Sequence, residues 1–229
     1  MGVTCQEIFR RLLSNEFEIS MSQQSPAILI ADSLGLDFLN SVATPVDVPL
    51  DWIDDGQGLL AWLDQAGLVP RTTLDGIRDR AMPGELDKVA AQVRELRDWF
   101  RSFVQQHKGT PLTAADLSEL DPLNQLLERD EMYAQVVARQ DGEGSGLAVE
   151  SLRRWRSPES LLQPIGAALA ILLTQEDFSY VKACEGPACT LLFADHTRGH
   201  TRRWCSMDIC GNRAKQAAHR SRRKERPTR

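Results

Sequence analysis

Residues 184–215 read CEGPACTLLFADHTRGHTRRWCSMDICGNRAK, and the four cysteines in this stretch decide how the chain is organised. They form two close pairs, Cys184-x4-Cys189 and Cys205-x4-Cys210, separated by 15 residues, a length that suits a β-hairpin. Zinc takes four soft ligands in a tetrahedron, and two short loops can each present two thiolates while the intervening chain brings the loops together. His196 and His200, with three residues between them, could instead complete a two-cysteine, two-histidine set with the first pair. The four-cysteine set is preferred here. Residues 191–193 read as a strand, 197–200 as a turn and 201–204 as the returning strand, which puts both histidines around the hairpin tip, away from the metal. Four thiolates also fill the coordination sphere, so the expected zinc is structural rather than catalytic. Cys5 stands alone near the start and has no expected role.

Beyond Cys210, Gly211 is expected to adopt an unusual backbone angle that closes the second cysteine loop, and Asn212 to cap the helix that follows. At about 100° per residue, Ala214, Ala217 and Ala218 share one narrow arc, expected to pack on the finger. Arg213, Lys215, Arg220, Arg222, Arg223 and Lys224 cover the remaining surface, and Arg198, Arg202 and Arg203 join them from the hairpin. A metal-fixed scaffold carrying so many cations suits phosphate oxygens, which makes DNA the expected partner.

The charge map supports that division. Residues 196–229 hold 11 Lys or Arg against 2 Asp or Glu, whereas residues 1–195 hold 16 against 30, so a modest overall −5 conceals two opposite fields. No apolar run approaches the ~20 residues that span a bilayer. The start lacks the pattern of a secretory signal, so a reducing, cytoplasmic setting is expected, where cysteines favour metal over disulfide.

Upstream, apolar residues recur at helical spacing. The expected helices begin with Leu34, Phe38 and Val42 behind Asp32 or Ser33, continue over residues 57–65, and resume after Thr72. A long one opens with Pro83 and carries Leu86, Val89, Val93, Leu96, Phe100 and Val104 on one face; another follows Thr113 and is divided at Pro122. Residues 133–138 and 147–152 flank a glycine-rich turn at 141–146 and read as a β-hairpin. That turn has neither the following helix nor the lysine of a phosphate-binding loop. Ser157 and Pro158 start a last helix, apolar on nearly every side over 161–173, expected at the centre of the core. The chain therefore reads as mainly α with small β elements. A mobile lead covers residues 1–25, a mainly helical domain with a β-hairpin covers 26–180, and a small finger of hairpin and helix covers 181–229.

The strings Trp204-Cys205-Ser206-Met207 and Cys210-Gly211-Asn212-Arg213-Ala214-Lys215 resemble the CGNR zinc-finger proteins of bacteria. In that family the finger follows an N-terminal ABATE domain, and its members are regarded as stress-induced transcription regulators. The resemblance runs from residue 27 to about 225 and includes Leu36-Asp37-Phe38-Leu39-Asn40. It implies zinc held by Cys184, Cys189, Cys205 and Cys210, DNA contacts from Arg213, Lys215 and the later basic residues, and a mainly helical first domain. This chain departs from the pattern in placing His196 and His200 around the hairpin tip.

The acidic domain is larger than a DNA anchor requires, which suggests sensing of a small-molecule effector or formation of a homodimer. Asp37, Asn40 and Thr44 fall on one helical side at spacings of three and four and are the candidate lining of a ligand pocket, although core caps have the same spacing. Trp52, Trp62, Trp99 and Trp155 read as packing residues rather than a ligand cage. Two other functions use the same residues: RNA binding through the basic finger, and a thiol redox switch if the cysteines carry no metal. No catalytic triad, metalloprotease helix or dinucleotide fingerprint is present, so no enzyme activity is expected.

Overall fold

The computed structural model describes residues 26–45, 48–138 and 146–224, of which 221–224 are described by backbone alone. The first helix, α1 (Leu34–Leu39), stops sooner than its spacing suggests, and Val42 enters a strand instead. Leu36, Phe38 and Leu39 are fully buried, so one and a half turns already spend the apolar face. The chain then pairs β1 (Val42–Ala43) with β2 (Leu50–Asp51) in a two-residue antiparallel ladder that sequence periodicity did not reveal.

Three helices follow. Asp55 caps α2 (Gly56–Gln65) by accepting from Gly58 N at 2.7 Å. The helix α3 (Arg71–Arg80) turns Leu74 and Ile77 inward. The 23-residue α4 (Glu85–His107) begins after Pro83-Gly84 rather than at Pro83, because Gly84 takes a positive φ of 78° that no helix continues. Its face of Leu86, Val89, Val93, Phe100 and Val104 is buried as expected, and α2 lies against it.

Thr113 and Asp116 form a reciprocal capping box on a 3-10 turn (Ala114–Leu120), and α5 (Asp121–Leu127) follows with Pro122 in its first turn. Strands β3 (Met132–Ala138) and β4 (Leu147–Arg153) pair antiparallel, Val136 opposite Val149. Residues 139–145 of the turn between them lie outside the described residues. The 3-10 turn Pro158–Leu161 leads into α6 (Leu162–Gln175), which buries Ile165, Leu169 and Leu172 and packs on α1 and α5.

The C-terminal part begins with β5 (Val181–Ala183) and β6 (Leu192–Ala194), antiparallel, and ends with α7 (Asn212–Lys224). The hairpin therefore precedes the second cysteine pair, and its turn carries the first; residues 201–204 form no strand among the described residues. One hydrophobic cluster runs through the chain, joining Leu36, Phe100 and Leu169 of the helices to Leu191, Leu192, Phe193 and Cys205. The boundary read at residue 180 thus crosses a shared core.

Candidate metal centre and basic helix

Both cysteine pairs are placed by backbone hydrogen bonds. Cys184 N donates to Leu191 O at 2.9 Å as the ladder ends, Cys189 N returns to Gly186 O at 3.0 Å, and Glu185 N donates to Arg203 O at 3.0 Å, which brings the second pair alongside the first. Ser206 caps the next turn by accepting from Ile209 N. That turn, Met207–Gly211, is a wide π-helical one continuing directly into α7, so Cys210 sits inside a helix that starts earlier than Asn212.

The four Sγ atoms all lie within 4.8 Å of one another, with Cys189 and Cys205 at 3.9 Å. A zinc ion held at about 2.3 Å from four sulfurs sets them about 3.8 Å apart, so this donor set fits the ion in chemistry and in spacing. Backbone N–H groups of Gly186 (3.4 Å) and Cys205 (3.2 Å) point at Cys184 Sγ, as suits a thiolate. Hydrogen bonds from Cys189, Cys205 and Cys210 hold the Cys184 thiol well below its ordinary value, and the same crowding pushes Cys205 and Cys210 up. All four thiols can lose their protons together only with a cation among them.

Gly186 lets the two cysteine loops close this tightly. A Cβ on Gly186 would stand 2.8 Å from Cys210 Sγ and 3.0 Å from Cys189 Cβ. A Cβ on Gly211 would stand 2.5 Å from Met207 Sδ and 3.2 Å from Trp204 Cδ1. A side chain at Gly211 would have to displace the end of the exposed Met207; Gly211 is absent from the positive-φ residues, contrary to the backbone angle expected for it.

Both histidines are engaged away from the sulfurs. His196 Nε2 lies 2.7 Å from Glu176 Oε2, and this hydrogen bond raises its pKa. His200 stacks on Tyr180 with ring centroids 3.5 Å apart. Asp195 organises this end of the module. Its fully buried carboxylate accepts from Lys182 Nζ (2.7 Å), Thr197 Oγ1 (2.6 Å) and Arg202 N (2.9 Å). Burial alone would raise its pKa, and these bonds overcome that and hold it well below the carboxylate range.

The basic residues divide into anchors and free cations. The Arg202 guanidinium reaches Asp32 Oδ2, Ile30 O and Cys205 O and lies 4.3 Å over the Phe193 ring, so its donors are consumed inside the protein. It is a clamp rather than the phosphate contact expected from sequence. Arg213 Nη1 donates to Pro45 O at 3.1 Å, which ties α7 to the loop after β1. Arg203 pairs with Glu185 and lies 5.1 Å over Trp204. Arg198, Lys215 and Arg220 are exposed. Arg222, Arg223 and Lys224 lie on the last turn of α7, where only the backbone is described. Ala217 and Ala218 are exposed rather than packed on the finger. Between α7 and the first cysteine loop runs a groove of about 570 Å³, lined by Pro187, Ala188, Ala214, Ala217 and Arg220 among others.

Of the residues offered as a ligand pocket, Asp37 braces the segment before α1, and Asn40 and Thr44 bond across to the finger segment. Asp37 Oδ1 accepts from Ile30 N (2.9 Å) and Ala31 N (3.0 Å), while Asn40 exchanges two hydrogen bonds with Leu192, and the Thr44 N–H donates to Thr190 Oγ1 at 2.9 Å. Sequence reasoning missed three arginines of α4, of which Arg101 belongs to this joint and Arg94 and Arg97 tie α4 to the segment 51–54 within the helical domain. Arg101 donates to Leu39 O and Thr190 O, Arg94 to Ile53 O and Asp54 O, and the buried Arg97 grips Asp51 with two bonds of 2.7 Å. Their spacing of three and four beside the apolar face of α4 was the available signal.

A mainly helical domain sharing its core with a four-cysteine module, from which a basic helix projects, defines a zinc-finger protein with a large N-terminal partner domain. The chain belongs to the ABATE family, "Putative stress-induced transcription regulator", which it matches over residues 32–176, and it carries a CGNR zinc finger over residues 180–223. No curated protein matches it.

Proposed function

We propose that the chain is a DNA-binding transcription regulator whose reading head is α7, held rigid by one zinc ion on Cys184, Cys189, Cys205 and Cys210. The observation that carries this reading is the convergence of four thiols at the root of a helix whose Lys215 and Arg220 are exposed. Zinc supplies charge compensation and cross-linking, and takes no part in chemistry. The hydrogen bonds of Arg202 and Arg213 fix the module against the helical domain, so the cations stand on a rigid support. Membership of a family described as transcription regulators agrees with this use. Among the described residues no helix is long and apolar enough to cross a membrane. The regulator acts in the cytoplasm, with the helical domain as its sensing or self-associating part.

The test is fluorescence anisotropy of the zinc-loaded chain on random duplex DNA between about 50 and about 200 mM salt, with RNA as competitor. Retention on DNA, and a salt slope reduced by roughly one for each phosphate-contacting cation replaced in Lys215→Gln and Arg220→Gln, is the expected result. An unchanged slope, or tighter retention of RNA, would remove the reading.

A further inference from the structure

The helical domain is acidic as a whole, yet one cleft in it is cationic. It lies between α3 and the base of the β3–β4 hairpin, has a volume of about 460 Å³, and is walled by Arg80, Arg153, Arg154 and Arg156 together with Tyr133 and Trp155. No carboxylate lines it. Volumes of this order accommodate small organic ligands.

The carboxylates behind the wall compensate only part of this charge. Asp130 takes Arg153 in a two-pronged pair at 2.7 and 2.8 Å, and Glu131 takes Arg156 at 2.6 Å, with Arg154 at 3.9 Å from the same group. On α3 the nearby Asp75 and Asp79 face Arg78 instead. With Arg78 counted, five guanidinium groups against four carboxylates leave one net positive charge, and Arg80, on the cleft wall, has no ion pair among the described residues. Arginine is also the side chain suited to forked recognition of phosphate.

The rings supply the second element of recognition. The Arg154 guanidinium lies 4.6 Å over Tyr133, and that of Arg153 lies 5.6 Å from the Trp155 ring, so each ring of the wall has a cation beside it. Opposite them Gly76 leaves space: a Cβ there would meet nothing within 4 Å.

We infer that this cleft binds a small dianionic phosphate monoester that also contains a flat ring, with the phosphate at Arg80 and Arg154 and the ring against Tyr133 or Trp155. The inference rests on the helical domain being the sensing part of a regulator, and gives that domain a ligand class. Binding is measured directly, so its outcome is independent of whether α7 binds DNA.

Adenosine 5′-monophosphate serves as the probe in calorimetry of the zinc-loaded chain, with adenosine and inorganic phosphate as controls. One site per chain is expected, with a dissociation constant on the order of 10–100 µM and each control about tenfold weaker or more. Arg80→Gln should weaken binding about tenfold, because an unpaired charge facing the phosphate is lost. Gly76→Phe should abolish it by filling the cleft, in a helix where replacing glycine does no harm to the backbone. Arg220→Gln should leave it unchanged. Absence of binding up to about 5 mM, inorganic phosphate binding as tightly as the nucleotide, or affinity that survives both cleft substitutions would overturn the inference.

Discussion

The Asn40 side-chain amide acts as one more strand on β6: its Nδ2 donates to Leu192 O at 2.8 Å and its Oδ1 accepts from Leu192 N at 2.9 Å, both buried. Two residues on, Ala194 N donates to Ala31 O at 3.0 Å. The outer edge of the finger hairpin is thus sealed by the helical domain. A residue separated by 152 positions supplies the seal, so the finger and the helices fold onto each other rather than beside each other.

Asn40→Ala strands a buried N–H and a buried C=O of Leu192. Each costs about 1–3 kcal/mol when left without a partner, so a loss of about 2–6 kcal/mol is expected from urea denaturation. Asn40→Asp should not rescue it, because the carboxylate keeps the acceptor, loses the donor and buries a charge. A change below about 0.5 kcal/mol would mean that β6 does not depend on this seal.

Removing the metal should be felt throughout the molecule. Cys184, Cys205 and Cys210 belong to the same buried cluster as Leu36, Phe100 and Leu169, so chelation under reducing conditions should lower the melting temperature of the helical signal by about 10 °C or more, in one transition. Helices that melt at the same temperature with and without chelator would show that the finger is a separate unit.

Asp37 gives the stability a pH dependence of known sign. Burial, opposed by the hydrogen bonds from Ala31 and Ile30, raises its pKa from 3.8 to about 6. A folded pKa above the unfolded one means that the folded chain holds the proton more tightly. The stabilising contribution is therefore full below pH 3.8 and is lost as pH rises through about 6. Both N–H groups donate to the same oxygen, Oδ1, which an asparagine also offers. Asp37→Asn should therefore be more stable than the parent at pH 8 by on the order of 2–3 kcal/mol, with the difference shrinking towards pH 4. A gap between the two that stays constant with pH would contradict this.

Arg202 and Arg220 should separate support from contact. Arg202→Gln removes bonds to Asp32, Ile30 O and Cys205 O and should cost about 2–4 kcal/mol of stability while leaving the salt slope of DNA binding unchanged. Arg220→Gln, on an exposed face, should do the reverse. Equal salt slopes for the two variants would erase the distinction between anchors and free cations.

Much of this was legible beforehand, and the exceptions share a cause. The helices, the β3–β4 pairing and the gathering of the four cysteines follow from local periodicity, capping and spacing, which a single segment expresses by itself. The finger hairpin was displaced because residues 201–204 have strand composition, yet Arg202 is drawn inward to Asp32 and Ile30 O, a demand set by a segment 170 residues away. Asn40 showed the right spacing for a polar patch, but spacing carries no record of which distant backbone groups need partners. The same holds for Arg97 and Arg101, which sequence reasoning passed over and which serve as staples across the core.

The most direct test of the account is X-ray absorption at the zinc edge, with metal stoichiometry, on the reduced chain of 229 residues. The prediction is one zinc per chain in a shell of four sulfurs at about 2.3 Å, with no nitrogen or oxygen neighbour. A folded chain without tightly held metal, or a first shell containing histidine nitrogen, would contradict it.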